Sequence, residues 1–215
     1  MEIITFFRDL SLLIGIWVAI YGIDSWRREH KGKREIELAE DVLALFYEAR
    51  DAIRYMRHIF SPAGECVDIE KSPVENDSQW QARKNASIVF KRYEDRKEVF
   101  NKLYAMRYRF MAQIGTIETQ PFDDLHKIVN EIFIAARMLS QLWPRDHFRT
   151  EEQYEAHQKQ VKQFEAIFWQ GFAEEDPIEP RINKTVAEIE RTCRKIITGA
   201  GTLHALLNRP ICKRS

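Results

Sequence analysis

The sequence predicts an all-α protein: an N-terminal transmembrane helix followed by an antiparallel helical bundle of about five helices. Three observations predict it. An apolar run opens the chain, and apolar residues further on recur at alternating spacings of three and four. The composition is 45% hydrophobic and 31% charged with only 8 Gly and 7 Pro, which suits amphipathic helices with salt-bridged outer faces. The 215 residues fit one good-sized domain plus an appendage. The expected organisation is a transmembrane anchor over 1–26, a basic juxtamembrane segment over 27–34, a cytoplasmic bundle over 35–209 and a tail over 210–215. The 33 basic and 33 acidic side chains cancel, which argues against a dedicated nucleic-acid binder and leaves any weaker nucleic-acid contact open.

Residues 10–23 are all apolar or small, short of the roughly 17–25 that a bilayer needs. Ile3, Ile4, Phe6 and Phe7 extend the run at the expense of including Arg8 and Asp9. Tyr21 and Trp26 lie near its far end, where amphipathic rings favour the headgroup boundary. A cleaved signal peptide would open with basic residues and close on a small-x-small site. Here Glu2 and Asp9 stand at the start and Asp24, Ser25 and Trp26 at the exit. A buried helix of a soluble core and a re-entrant or interfacial segment are the other rivals. Arg27, Arg28, Lys31, Lys33 and Arg34 follow the run against Glu29 alone. By the positive-inside tendency the N-terminus is then outside and the bundle cytoplasmic, as a single-pass protein of a bacterial inner membrane. The same cluster has the chemistry to hold anionic headgroups, although a topology signal is its simpler reading. Ser11, Gly15 and Ala19 recur every four residues, with Gly22 one heptad after Gly15, a stripe along which membrane helices self-associate.

The remainder reads as helices in order. Residues 33–60 carry Ala39, Val42, Leu43, Phe46, Ile53 and Phe60 on one face and Arg50, Arg54 and Arg57 on another. Only Gly32 separates this helix from the anchor, so one stiff helix is expected to leave the membrane. Ser61-Pro62-Ala63-Gly64 stops it, and an exposed loop runs through Asn76-Asp77-Ser78. Residues 79–118 have two apolar stripes, one through Val99, Leu103, Met106, Phe110, Ile114 and Ile117, the other through Ala86, Phe90, Tyr93, Phe100, Tyr104 and Met111. Two stripes imply more than one neighbour and a central place. The first stripe projects back onto Arg96, Arg92 and Val89, which marks the end of the core or a polar pocket. Pro121 opens the next helix, with Leu125, Ile128, Val129, Ile132, Phe133, Ala136, Leu139 and Leu142 on its apolar face. Thr150-x-x-Gln153 has the form of a capping box, followed by a seam of Tyr154, His157, Val161, Phe164, Phe168 and Phe172. Residues 174–180 read as a rigid acidic linker. The last helix repeats Ile182, Val186, Ile189, Cys193, Ile196, Ala200, Leu203 and Leu207 until Pro210.

Chemistry-bearing motifs are scarce. No Glu-x-x-His pair is present, and Asp123-x-x-His126 is the nearest to a di-metal carboxylate motif. Neither a phosphate loop, a nucleophile elbow nor H-E-x-x-H occurs. No catalytic residue, metal ligand or cofactor is therefore assigned, and the expectation is a non-enzymatic protein. His157 on its apolar seam reads as a neutral, hydrogen-bonded core residue, with a pH-sensing or catalytic role as the rarer alternative. Together with Arg92 and Arg96 it is the one candidate for a polar pocket. Cys66, Cys193 and Cys212 form no CxxC pair and read as reduced thiols.

The stretch Trp26-Arg-Arg-Glu-His-Lys-Gly-Lys-Arg-Glu-Ile-Glu-Leu-Ala-Glu, with Tyr47-Glu-Ala-Arg-Asp-Ala-Ile-Arg after it, resembles uncharacterised bacterial proteins that carry one N-terminal anchor and a helical body. The layout is also similar to the small membrane accessory protein of type VI-B CRISPR systems. That resemblance covers the first sixty residues in flavour and the rest in architecture. It implies a degenerate HEPN-like bundle and an oligomeric membrane assembly in antiviral defence, and it carries no site residues across. An active HEPN nuclease is disfavoured, since none of the 6 histidines follows an Arg with four to six residues between them; Arg54, Arg57 and His58 are too tightly spaced and Arg149 is too far from His157. The expected function is thus a self-associating membrane protein acting through contacts with itself or another protein, in its most specific form a membrane-perturbing or pore-type effector. A monomeric scaffold or sensor that recruits a partner, and a degenerate HEPN-like RNA-acting protein, are the alternatives.

Overall fold

The computed structural model describes the backbone of residues 2–61, 65–66 and 69–199, and the side chains of these except 2–13, 15–16 and 24. Among the described residues the fold is all-α, with five α-helices, one 3-10 turn and no strand. The helices are α1 (Glu2–Met56), α2 (Asp77–Gln113), α3 (Gln120–Leu142), α4 (Glu151–Phe168) and α5 (Glu179–Ile197), with the 3-10 turn Ile117–Thr119 between α2 and α3. The apolar N-terminal segment and the first bundle helix are one element, α1, and Gly32 does not break it. Two compact units are distinguished, Met1–Asp41 with Arg194–Ser215, and Val42–Cys193.

The second unit is built on α3, whose apolar face is the best developed. Leu125, Val129, Ile132, Ala136 and Leu139 are all buried there, and α3 packs on both α2 and α4. Phe122 receives the edge of Phe46 from α1 at 4.9 Å and lies 5.7 Å from Phe110 of α2. Phe133 stacks on Phe90 at 5.1 Å and meets Tyr93 edge-on at 5.0 Å. Trp143, just past the end of α3, meets Phe168 of α4 edge-on at 5.7 Å. The fully buried rings among these, Phe46, Phe110, Phe122 and Phe168, each contribute about 1.5–3 kcal/mol by burial alone. The central place expected of α2 therefore falls to α3 as well. From α1, Val42, Phe46, Ala49, Ile53 and Met56 supply a fully buried stripe at three-and-four spacing.

Helix ends depart from the sequence reading for identifiable reasons. Helix α2 starts two residues earlier than expected because Asn76 is an N-cap. Its Oδ1 accepts the Gln79 N–H at 2.8 Å, while Gln79 Oε1 accepts the Asn76 N–H at 3.0 Å, a complete capping box. The helix stops at Gln113, before Gly115, which has φ +145°. Ile117 consequently leaves its predicted stripe and is 88% exposed. At α4 only half of the expected box forms. Thr150 accepts from the Gln153 N–H at 3.2 Å, but the Gln153 side chain turns back one residue further, to the Arg149 N–H. The α4 seam is also shallower than predicted: His157 and Phe168 are buried, whereas Tyr154 and Phe172 are exposed. Helix α1 ends at Met56, so Phe60 lies beyond it and is 70% exposed. Helix α5 begins at Glu179, inside the predicted linker, and buries Ile182, Val186, Ile189 and Cys193 as the spacing predicts. The stop at Pro62, Ala63 and Gly64, the later seam positions Ala200, Leu203 and Leu207, and the tail lie outside the described residues.

Replacing Asn76 by Ala is expected to lower stability by about 1 kcal/mol through loss of the cap. Gly115→Ala is expected to lower it by about 1 kcal/mol or more through its positive φ. Urea denaturation of each variant checks both.

Candidate functional site

The described part of the N-terminal segment is apolar and open to its surroundings. Ile14, Trp17, Val18, Ile20, Tyr21, Ile23 and Trp26 are each more than half exposed. At about 100° per residue, Ile14, Val18 and Tyr21 cover one side of the helix, Trp17 and Ile20 the next, and Ile23 the one opposite. The remaining arc holds Ala19, Gly22 and, between them, Trp26, all exposed, and a Cβ built at Gly22 meets nothing within 4 Å. Ser11 and Gly15 share that arc by register, but their side chains lie outside the description. A helix apolar all round belongs in an apolar surrounding. Among the described residues no helix is long and apolar enough to cross a membrane, and Leu10, Leu12, Leu13 and Ile16 of the apolar run are not among those side chains. Trp17 stacks on Tyr21 at 5.6 Å, and Trp26 on His30 at 5.5 Å and 12°. Arg27, Arg28, Lys31, Lys33 and Arg34 follow on the same helix, all exposed, with Lys31 3.6 Å from Glu35.

Arg92 and Arg96, predicted as part of a polar pocket, share one neighbour, the Tyr55 ring, whose centre lies 5.6 Å from the Arg92 guanidinium, but they differ in burial. Arg92 is 1% exposed and closes the C-terminal end of α1. Its Nε and Nη2 donate to the two carboxylate oxygens of Glu65 at 2.6 and 2.9 Å. Nη1 donates to the carbonyls of Tyr55 (3.3 Å) and His58 (2.5 Å), and Nη2 also to that of Phe60 (2.8 Å). The Tyr55 carbonyl also accepts the His58 N–H at 3.3 Å, while His58 and Phe60 lie in the turn beyond the helix. Arg96 stays exposed, its guanidinium 5.4 Å from the centre of the Tyr55 ring. His157 shares no partner with either arginine. It is buried, 4.8 Å from the Phe148 ring, and its Nδ1 has no hydrogen-bond partner, unlike the satisfied core histidine expected.

A second buried arginine was hidden in the sequence. Arg57, placed by its spacing on a polar strip, is 0% exposed. Its Nε donates to the Ile167 carbonyl at 2.7 Å, and Nη2 to those of Ala166 (2.9 Å) and Trp169 (3.2 Å), the C-terminal end of α4. Nη2 also donates to Asp176 Oδ1 at 3.0 Å, while Nη1 is buried without a partner. Asp176 Oδ1 in turn accepts the N–H groups of Ile178 (2.8 Å) and Glu179 (3.0 Å), where α5 begins. Arg54 reinforces this by pairing with Glu179. Burial pulls the Arg57 guanidinium down from its ordinary range, opposed by Asp176. The one local signal of the pair is an Asp two residues before an Ile-Glu-Pro helix start.

Other candidates carry less. His126 hydrogen-bonds the Tyr104 hydroxyl, which burial pushes up to about 12, and Asp123 pairs with Arg107 at 2.9 Å. Among the described residues no group of three or more His, Cys, Asp or Glu is arranged to hold a metal ion. Cys66 and Cys193 are buried free thiols, and burial raises Cys193 to about 12. An open groove of about 500 Å³ lies between Trp80, Gln81 and Asn85 of α2 and Trp143 and Pro144. Neither this groove nor the one along Tyr154, Lys159 and Lys162 of α4 is lined by Arg92, Arg96 or His157.

No protein-family model, curated protein or solved structure matches this chain.

The two arginine clamps yield a pH dependence with a definite sign. Hydrogen bonding by Arg92 holds the Glu65 carboxyl below its ordinary value. Burial would raise Asp176, but the N–H groups of Glu179 and Ile178 and the Arg57 guanidinium outweigh it and hold it low. Both carboxylates then stabilise the fold above the ordinary carboxylate range, and that contribution is lost as pH falls below about 4. Thermal unfolding followed over roughly pH 3–6 checks this, with a shallower acid limb expected in Asp176→Asn. Arg92→Ala is expected to lower stability by about 3–5 kcal/mol, and Arg92→Lys to recover only part of it, since one ammonium does not reproduce the forked contact with Glu65.

Proposed function

We propose that this chain is a single-pass, self-associating membrane protein whose helical body acts through protein–protein contacts on the cytoplasmic side. The observation that carries the reading is the exposure of large apolar side chains around α1 from Ile14 to Trp26, followed directly by five exposed cations. Water is a poor surrounding for such a surface, and one protein neighbour covers only one side of a helix. Lipid covers all sides, and the basic residues then set the N-terminus outside. The small-residue arc supports self-association, because helices in lipid associate by close packing. The layout resemblance supports the more specific version, an oligomeric effector or accessory of a bacterial antiviral defence system.

Membranes from expressing bacteria, washed in alkaline carbonate, are expected to retain the chain; recovery in the wash would sink the anchor. A cysteine introduced at Glu2 is expected to react with a membrane-impermeant maleimide from the periplasmic side. Crosslinking in detergent is expected to give dimers or larger species that Gly22→Leu abolishes. Within one chain nothing stands within 4 Å of a Cβ at Gly22, so such a loss reports on a contact between chains. A strictly monomeric particle would remove the self-association half of the proposal and leave the anchor standing.

A further inference from the structure

We infer that Arg27 and Arg28 bind the phosphates of anionic lipid headgroups, so that this end of α1 selects lipid as well as fixing topology. The inference rests on the anchor reading. Its first support is a run of cations left, among the described residues, without an acidic partner, a state shared by scattered residues such as Arg109 and Arg191 but not by six arginines of the helical body. Arg54, Arg57, Arg83, Arg92, Arg107 and Arg181 each face a carboxylate. Among the described residues Arg27, Arg28, Lys33 and Arg34 have no such partner, and Lys31 is drawn to Glu35. The nearest described acidic residue within the cluster is Glu29, which is exposed and also unpaired.

The second support is depth. The stacked Trp26 and His30 rings mark the boundary where amphipathic aromatics settle. The headgroup layer beyond that boundary is about 5–8 Å thick on each side. With a rise of about 1.5 Å per residue, Arg27 and Arg28 stand within about 3 Å of Trp26 along the axis. Lys31 is about 8 Å away, while Lys33 and Arg34, about 10–12 Å away, have passed the layer. The two basic positions nearest Trp26 are both arginine, whose planar fork meets two phosphate oxygens at once, whereas lysine offers a point charge. A bare topology signal needs only positive charge, and lysine would serve it equally.

The test uses the full chain reconstituted in vesicles of phosphatidylcholine with a minority of phosphatidylglycerol, probed with spin-labelled forms of each lipid. The fraction of motionally restricted label gives the relative affinity. At low salt the wild type is expected to prefer phosphatidylglycerol several-fold. Arg27→Gln with Arg28→Gln is expected to bring that ratio close to one, while Lys33→Gln with Arg34→Gln leaves most of it. A preference unchanged in the first pair, or lost equally in both, overturns the inference. Millimolar inorganic phosphate is expected to leave the preference in place; its abolition would mean a free-phosphate site. A short single-stranded RNA that abolishes it at constant ionic strength would make the patch a nucleic-acid face and overturn the proposal. Restricted label with a ratio of one in the wild type removes headgroup selection and spares the anchor. Absence of any restricted lipid removes both.

Discussion

Helix α1 stops at Met56, and the carbonyls of Tyr55, His58 and Phe60 around its end are met by a guanidinium 1% exposed to solvent. A few residues away the same problem is solved in reverse, with Arg57 reaching out from the end of α1 to close the end of α4. A buried cation needs a counter-charge and acceptors for its donors, which Arg92 has through Nε, Nη1 and Nη2 and Arg57 through Nε and Nη2 but not Nη1. Each arginine has one carboxylate and several carbonyls, and the fork geometry of the side chain allows a single residue to satisfy so many acceptors. The Arg57–Asp176 pair also matches the helix dipoles. The cation lies at the negative end of α4 and the carboxylate at the positive end of α5. The α4–α5 connection is held at both of its ends by one ion pair, which leaves it little freedom despite its Gly171.

This arrangement explains which features were legible in the sequence. Apolar periodicity identified α3, and α5 as far as Cys193, almost residue for residue, because burial on one helix face is a local, repeating demand. It failed where burial is met by a single long-range contact. Arg92 lies on a projected seam and looks like the end of a core, since its partners Glu65 and Phe60 sit in a loop with no period. Asp176 looks like part of a solvated acidic linker, because nothing local says that Arg57, 119 residues away, needs an anion. Asn76 and Thr150 differ for a related reason: the choice between a full box and half of one depends on which N–H the Gln side chain finds.

The candidate membrane interface was legible in a different way. Its apolar run and its basic cluster are contiguous in sequence, so reading them needed no fold. What the fold adds is exposure. Tyr21, Ile23 and Trp26 might have turned toward a neighbouring helix, and their accessible surface instead lies open on several sides. Tyr104 and His126 illustrate the contrary case, where residues from separate helices find each other and close a site that their sequence neighbours did not suggest.

Net charge is the quantity that conceals most here. A sum of zero, from 33 basic and 33 acidic groups, argues against a dedicated nucleic-acid binder on composition. It says nothing of where the charges go. In the unit Val42–Cys193 the two buried arginines are balanced inside the fold by Glu65 and Asp176, and much of the surface charge is paired within a helical turn or across a short loop. The segment just after Trp26 gathers five exposed cations over 27–34, of which, among the described residues, Lys31 alone has an acidic partner. A neutral protein can therefore present a strongly basic short stretch, and it does so directly beyond its most apolar one. Two surfaces that are each ill-suited to water, or unbalanced in it, lie end to end on a single helix, in the order in which a bilayer presents its hydrocarbon and its phosphates.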